Sequence, residues 1–271
     1  MTMLDYHLHT NFCGHGKGDP SEYVRAAIDR GLDEIGFSCH LPMLNKPDPY
    51  HAMPRYMLPV YFESLRALQK EHSGSIRIKI GIEADYLEGY EDMISYLLSA
   101  FPFDYVLGSV HFLDQWHFTS RAGRDQYSEV DPVEVFPRYY EEVRKLIRTG
   151  LFDILSHPDA IRKEFFQPAG SLDDEYKQVA ELIRDEGMCI EMNTAGLRRE
   201  AGFIYPHPDF LNICLDKGVP ITIGSDAHRP EDVGRDFDRV MERLRGKDNV
   251  NIALYSRRKM EKIPLSELAW S

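Results

Sequence analysis

Cysteine is scarce in this chain of 271 residues. There are four, Cys13, Cys39, Cys189 and Cys214, with no CxxC pair among them. That pattern suits a reducing compartment and argues against a disulfide framework. Long apolar runs are missing too, so no segment reads as a membrane span. The N-terminus, MTMLDYHLHT, lacks a basic stretch followed by an apolar one, which leaves no visible signal peptide. A cytoplasmic location is the expectation. No run of Lys and Arg reads as a nucleic-acid footprint either. With 32 basic against 44 acidic residues the formal charge is −12, a poor match for a nucleic-acid partner. A phosphate substrate stays open, because bound divalent cations can reverse the sign locally. No linker, internal repeat or low-complexity tract divides residues 1–271, so one domain is expected.

What is present is an ordinary globular composition, 43% hydrophobic and 28% charged, arranged as alternating elements. Seven segments read as strands: Met3–His9, Glu34–His40, Ile76–Asp85, Tyr105–His111, Phe152–His157, Cys189–Asn193 and Pro220–Asp226. Runs such as IRIKIGI and VPITIG are nearly all apolar, as buried parallel strands are. Between them lie helical stretches with explicit start signals. Asp19-Pro20-Ser21-Glu22 and Asp131-Pro132-Val133-Glu134 each offer an N-cap, a proline at the first helical position and an acid to close a capping box. Seven β and α units in alternation predict an α/β fold built on one parallel barrel, one unit short of the usual eight. The tail, about residues 249–266, reads as a strand, a basic turn and a second extended piece packed outside.

The chemistry gathers where the strands end. His7 and His9 share one face of the first strand with Asp5, which could orient them from beneath. His40 ends the second strand, Glu83 lies near the end of the third and His111 ends the fourth. His157 ends the fifth, Asp226 and His228 follow the seventh, and His15 sits in the loop Gly14-His15-Gly16. In β/α barrels that C-terminal rim is where active sites lie. Seven of the 11 histidines fall there, leaving His51, His72, His117 and His207 over. Imidazole and carboxylate suit zinc, manganese or iron. Nine ligands are too many for one ion, so two or three ions are expected, with Glu83 able to bridge. Cys13 and Cys39 read as packing residues.

These residues lie in DYHLHTNFCGHG, FSCHLPM, GIEADY, GSVHFLDQW, SHPD, NTAGLR and GSDAHRPEDVG, in that order. Together the motifs resemble the polymerase-and-histidinol-phosphatase (PHP) superfamily, most of all its stand-alone histidinol-phosphate phosphatases. The resemblance runs from the first strand to Gly234. It implies a distorted (β/α)7 TIM-like barrel with a trinuclear centre. His7, His9, Glu83 and Asp226 would hold one metal. Glu83 would bridge to a second completed by His111 and His157, and His15, His40 and His228 would hold the third. Glu83, Asp226 and His228 are thereby the residues expected to carry catalysis.

The implied reaction is hydrolysis of L-histidinol phosphate to L-histidinol and phosphate, a step of histidine biosynthesis. Hydroxide bridging two metals is expected to attack phosphorus in line. Arg162 and Arg198, in loops after strands, are nominated to hold the phosphoryl group, with Lys163 and Arg199 as weaker neighbours. Asn193 could bind substrate or orient the loop to Arg198, and Glu191, on the same face, could support the charge network. Trp116 and His117 could cover the substrate's imidazole or simply pack on the rim. Three alternatives stand beside this reading. One is a phosphatase for another ester, such as a nucleotide or phosphotyrosine. Another is a non-catalytic metal-binding module, and the third is amidohydrolase-like cleavage of a C–N bond.

Overall fold

The computed structural model describes residues 3–164 and 166–267. Its frame is a run of parallel strands: β1 (Leu4–Leu8), β2 (Glu34–Phe37), β3 (Arg77–Asp85) and β4 (Tyr105–Ser109). A two-strand hairpin, β5 (Phe112–Leu113) and β6 (Trp116–His117), interrupts the series. β7 (Ile154–Leu155), β8 (Cys189–Asn193) and β9 (Ile221–Gly224) complete it. The order β1-β2-β3-β4-β7-β8-β9 follows the chain, each pair parallel. The sheet closes on itself past β9, where His9 N donates to Ala227 O at 2.9 Å and Ala227 N to His7 O at 3.2 Å. The seven strands of the sequence reading are therefore the staves of a closed, irregular barrel.

The tail does more than lie outside. β10 (Asn251–Ser256) joins the main sheet beside the start of β9, with Ile252 opposite Ile221. β11 (Lys259–Pro264) pairs back on β10 in antiparallel fashion, across a turn at Arg257 and Arg258. Tyr255 N donates to the Tyr6 hydroxyl at 3.2 Å, so the hairpin fills the gap that the short β9 leaves next to β1.

Helices α1 (Pro20–Asp29), α2 (Leu58–Glu71), α3 (Glu91–Ser99), α4 (Pro132–Arg148), α5 (Asp173–Asp185), α6 (Pro208–Asp216) and α7 (Phe237–Leu244) link the strands. Both predicted N-caps operate, and the first closes its capping box as well. The Asp19 side chain accepts from Ser21 N at 3.0 Å while Glu22 reaches back to Asp19 N at 2.6 Å, and Asp131 accepts from Val133 N at 2.9 Å. Apolar faces such as Val135, Tyr139, Val143 and Leu146 of α4 bury against the strands. Among the described residues no helix is long and apolar enough to cross a membrane.

The bottom of the barrel is filled by Tyr105. Its hydroxyl donates to Tyr6 O at 2.7 Å, and its ring stacks on Tyr6 with centroids 4.8 Å apart. Two glycines leave room for it. A Cβ at Gly36 would meet the Tyr105 hydroxyl at 2.1 Å, and one at Gly81 would meet the ring at 2.3 Å. This packing fills one end, where buried Glu34 accepts from the Tyr6 hydroxyl and from Arg77, and the histidines of the strand ends collect at the other. We expect Gly36→Ala to destabilise the protein by about 1–3 kcal/mol, the usual cost of overpacking a core. Thermal unfolding measures it, and an unchanged midpoint would refute the role given to Tyr105.

Candidate metal centre

The strands stop short of the residues that matter. β7 ends at Leu155 and β9 at Gly224, two residues before His157 and Asp226. Both then take positive φ, 24° at His157 and 52° at Asp226, a conformation that costs a non-glycine residue free energy. The backbone thus leaves the sheet where each side chain must turn inward. β2 is irregular in a related way. It ends at Phe37, yet His40 returns to bridge Glu83, with Leu41 N on Glu83 O at 2.7 Å. These departures explain why the strands read from sequence are longer than the observed ones.

Glu83 is the hub. It is buried, and its two oxygens face different groups. Oε2 lies 3.3 Å from His7 Nε2, 3.2 Å from His9 Nε2 and 3.1 Å from His40 Nδ1. Oε1 lies 2.9 Å from His157 Nε2 and 3.6 Å from His111 Nε2. Asp226 Oδ1 joins the first group at 3.8 Å from His7 and 3.6 Å from His9. Donors around one tetrahedral ion with bonds of ~2.0–2.2 Å lie about 3.3–3.6 Å apart. The spacings of both groups bracket that value.

The imidazole tautomers give a sharper test of fit. His7 Nδ1 contacts Glu191 Oε1 at 2.6 Å, His111 Nδ1 contacts Asp85 Oδ1 at 2.7 Å, and His15 Nδ1 contacts Tyr50 O at 2.7 Å. His228 Nδ1 lies 3.0 Å from Asp226 O, and His9 Nδ1 3.4 Å from Cys13 Sγ. The carboxylates of Glu191 and Asp85 and the carbonyls of Tyr50 and Asp226 can only accept, so they claim the ring protons of His7, His111, His15 and His228 and leave a lone pair on each Nε2. Those Nε2 atoms then converge: His7 on His9 at 2.9 Å, His111 on His157 at 3.3 Å, His15 on His228 at 2.8 Å. Lone pairs facing one another repel unless a cation lies between them. The donor set fits divalent ions.

Electrostatics agree. Burial opposes ionisation of Glu83, yet the imidazoles of His40 and His7 hold its carboxyl well below the usual range. Asp226 is lowered against the same burial by His7 and His228. Burial, then His228, pushes His9 down to about 3 and His15 down to about 4, while burial and His51 take His40 well below its normal value. Ionised acids beside neutral imidazoles are the protonation states that metal binding requires. His7 and His157 are the exceptions. Burial would lower both, but the carboxylates of Glu191, Asp226 and Glu83 outweigh that at His7, and Glu83 and Glu191 do so at His157, a field that favours any cation.

The nine sequence-nominated ligands thus converge, with a difference at the third group. His15 and His228 meet directly, while His40 lies between them and a cluster of His51, Asp85 and His111. Asp5 accepts from the His7 backbone N at 3.3 Å but touches neither imidazole. Its carboxylate accepts from Ser225 N at 2.9 Å and Gly234 N at 2.8 Å, pinning β1 to the segment after β9, and burial raises its pKa to about 6. Glu191 does the orienting instead, and Gly224 makes space for it, since a Cβ there would meet Glu191 Oε1 at 2.0 Å.

Arg162, Arg198 and Asn193 stand apart from the open space. A cavity of about 780 Å³ opens over the histidines, lined also by Arg121, Lys163 and Arg199. Arg162 is buried behind its wall against Phe136 and Phe203, at 5.8 and 5.9 Å from their ring centres. Arg198 is a strut from the loop after β8 to Ser225 O and Asp236. Asn193 is fully buried, its Oδ1 accepting from Ala195 N at 2.9 Å and its Nδ2 donating to Glu191 at 3.1 Å. The neighbours Lys163 and Arg199 face the cavity. One position along a tight turn reverses a side chain, and sequence gives no phase for it.

Sequence reasoning set aside His51, weighed His117 only as a cover for the substrate's imidazole, and missed Asp85. His51 Nε2 lies 2.8 Å from Asp85 Oδ2, its ring packs on His40 at 4.0 Å, and both His51 and His117 line the cavity. The GIEADY motif held the signal for Asp85, two residues from Glu83 on the same face. Trp116 is buried and holds Gly123 O at 2.9 Å, a loop-packing role.

A family model described as "PHP domain" matches residues 5–195. A protein of Deinococcus radiodurans named a probable histidinol-phosphatase is 36% identical over 246 residues, 90% of this chain and 93% of its own. The histidinol-phosphatase of Bacillus subtilis is 30% identical over 267 residues, 90% of this chain and all of its own (100%). Among solved structures, the histidinol phosphate phosphatase of Lactococcus lactis, complexed with zinc, L-histidinol and phosphate, superposes with a TM-score of 0.83. It is 22% identical, covering 96% of this chain and 98% of that one. The shared fold is the distorted barrel.

We expect Glu191→Gln and Gly224→Ala each to weaken metal retention by about 10–100-fold, the usual effect of losing a ligand's hydrogen-bond partner. Metal analysis after graded chelation reads this out. Undiminished occupancy in both would remove Glu191 from the assembly.

Proposed function

The chain belongs to the PHP domain family, and from that membership we propose a metal-dependent phosphomonoesterase that hydrolyses L-histidinol phosphate to L-histidinol and phosphate. One observation carries the proposal: Glu83 directs its two oxygens at two separate sets of imidazole nitrogens, at spacings that donors around a shared cation have. The names of the relatives supply the substrate.

His7, His9, Glu83 and Asp226 would hold one ion, Glu83, His111 and His157 a second, and His15, His40 and His228 a third. Zinc, manganese and iron all suit these donors. When bound, the ions supply Lewis acidity, which brings the pKa of water toward neutrality and offsets phosphoryl charge. Glu83 fixes the spacing of the two histidine sets, and Glu191 and Asp85 hold His7 and His111 in the tautomer that presents Nε2. Lys163 and Arg199, rather than Arg162 and Arg198, supply cations to the phosphoryl oxygens, because they line the cavity. Arg162, Arg198 and Asn193 act as supports of the wall.

We read residues 1–271 as one barrel domain working in the cytoplasm on a small molecule, without nucleic acid or membrane. The unbroken sheet and the four free cysteines support that reading.

Purified protein should release phosphate from L-histidinol phosphate in preference to a nucleoside monophosphate or phosphotyrosine. Chelation should abolish the activity, and zinc, manganese or iron should restore it. Equal efficiency on unrelated esters would defeat the substrate, and full metal occupancy without any phosphate release would defeat the enzyme.

Lys163 gives a pH test. Burial, and then the nearby Arg199, lower its pKa to about 8, so its cation is present below that pH and lost above it. kcat/KM should therefore fall as pH rises through about 8, and Lys163→Arg should shift that limb upward. A limb unmoved in the variant would take Lys163 out of the reaction.

A further inference from the structure

The segment between β2 and α2 brings Asp48, Tyr50 and His51 to the rim of the cavity. Tyr50 is 81% exposed, far more than the buried tyrosines of the core. Among the described residues its ring has no ring partner and its hydroxyl no hydrogen bond. Its backbone, by contrast, is fixed. Tyr50 O accepts from His15 Nδ1 at 2.7 Å, and Tyr50 N donates to Asp48 Oδ1 at 3.0 Å. The turn carrying His15 presses against it so closely that a Cβ at Gly14 would meet Pro49 O at 1.8 Å and Tyr50 Cα at 2.9 Å. A free aromatic ring on an immobilised backbone is a ready stacking surface, because little backbone entropy is lost when a ligand covers it.

Asp48 adds charge to that surface. Its Oδ1 caps the turn, accepting from Tyr50 N and from His51 N at 3.2 Å, while Oδ2 has no partner among the described residues. Glu83 and Asp226, the other acids on the cavity wall, belong to the metal centre. Arg121, Lys163 and Arg199, all cationic, come from the loops after β6, β7 and β8. One cavity therefore offers metal donors and cations for a phosphoryl group, together with a lone aromatic ring and a spare carboxylate oxygen.

We propose that Tyr50 and Asp48 determine specificity for the leaving alcohol: the Tyr50 ring stacks on a planar group of that alcohol, and Asp48 Oδ2 accepts from a cationic or N–H nitrogen on it. The substrate class is a phosphomonoester whose alcohol carries a flat, nitrogen-bearing ring. This rests on the reading of function above, in which the ring is the imidazole of L-histidinol phosphate. The loop that reads the ring also supplies, through Tyr50 O, the partner of His15 Nδ1, so recognition and the third histidine group share one backbone anchor.

Tyr50→Ala, Tyr50→Phe and Asp48→Asn are suited to the test. Tyr50 is too exposed for its truncation to unfold the protein, and Asn keeps the Oδ1 that caps the turn while removing the charge. With L-histidinol phosphate as substrate, Tyr50→Ala should raise KM about tenfold, the scale of losing one aromatic stack. It should leave kcat, metal content and the inhibition constant of inorganic phosphate within about threefold of wild type. Tyr50→Phe should behave like wild type, and Asp48→Asn should raise KM several-fold. An unchanged KM in Tyr50→Ala, or a phosphate inhibition constant that rises in step with KM, would overturn the assignment while leaving the function intact. A wild type that releases no phosphate from L-histidinol phosphate would fail the functional reading itself, and this inference with it.

Discussion

Everything at the rim of this barrel depends on one buried carboxylate that faces two ways. Glu83 has almost no solvent, so its charge must be met by neighbours, and the neighbours are imidazoles and the Ser109 hydroxyl, which donates to Oε1 at 2.5 Å. Each of its oxygens gathers a separate set, His7, His9 and His40 on one and His111 and His157 on the other. Buried charge left without compensation costs several kcal/mol. Raised His7 and His157 supply part of that compensation and bound cations would supply the rest, which is why the geometry and the chemistry lead to the same place.

The surroundings can be understood as support for that arrangement. Glu191 and Asp85 fix His7 and His111, a backbone carbonyl fixes His15, another fixes His228, and the Cys13 thiol sits against His9. Gly224 exists as glycine because Glu191 needs its space. Cys13 and Cys39 therefore do more than the packing expected of them: Cys13 Sγ also accepts from His40 N at 3.2 Å, and Cys39 Sγ from Thr10 N at 3.3 Å, tying the ends of β1 and β2 beneath the histidines. At the opposite end Tyr105 closes the barrel, so the site opens in one direction only.

The family relationship and the physical reading support each other without being the same evidence. The relatives' names bring a substrate, while the orientation of the ring nitrogens brings the demand for metal. Where family-style expectation reached for arginines, the structure places Lys163 and Arg199 at the cavity and Arg162 and Arg198 in its walls.

From the sequence alone came the alternation of seven strands with helices, the capped helix starts at Asp19 and Asp131, and the set of histidines and acids that gather at the strand ends. These are legible because strand period, capping chemistry and ligand type act over a few residues and do not depend on distant contacts. Tertiary structure alone decided the rest. That Glu191 rather than Asp5 orients His7 depends on a contact spanning the chain from β1 to β8. That His51 belongs to the site depends on how a loop after β2 folds over His15. Which of two adjacent cations faces the cavity depends on how the turns after β7 and β8 pack, the first of them passing through Asp159 at a φ of 74°. Such choices are made by packing between segments far apart in the chain, and local pattern carries no record of them.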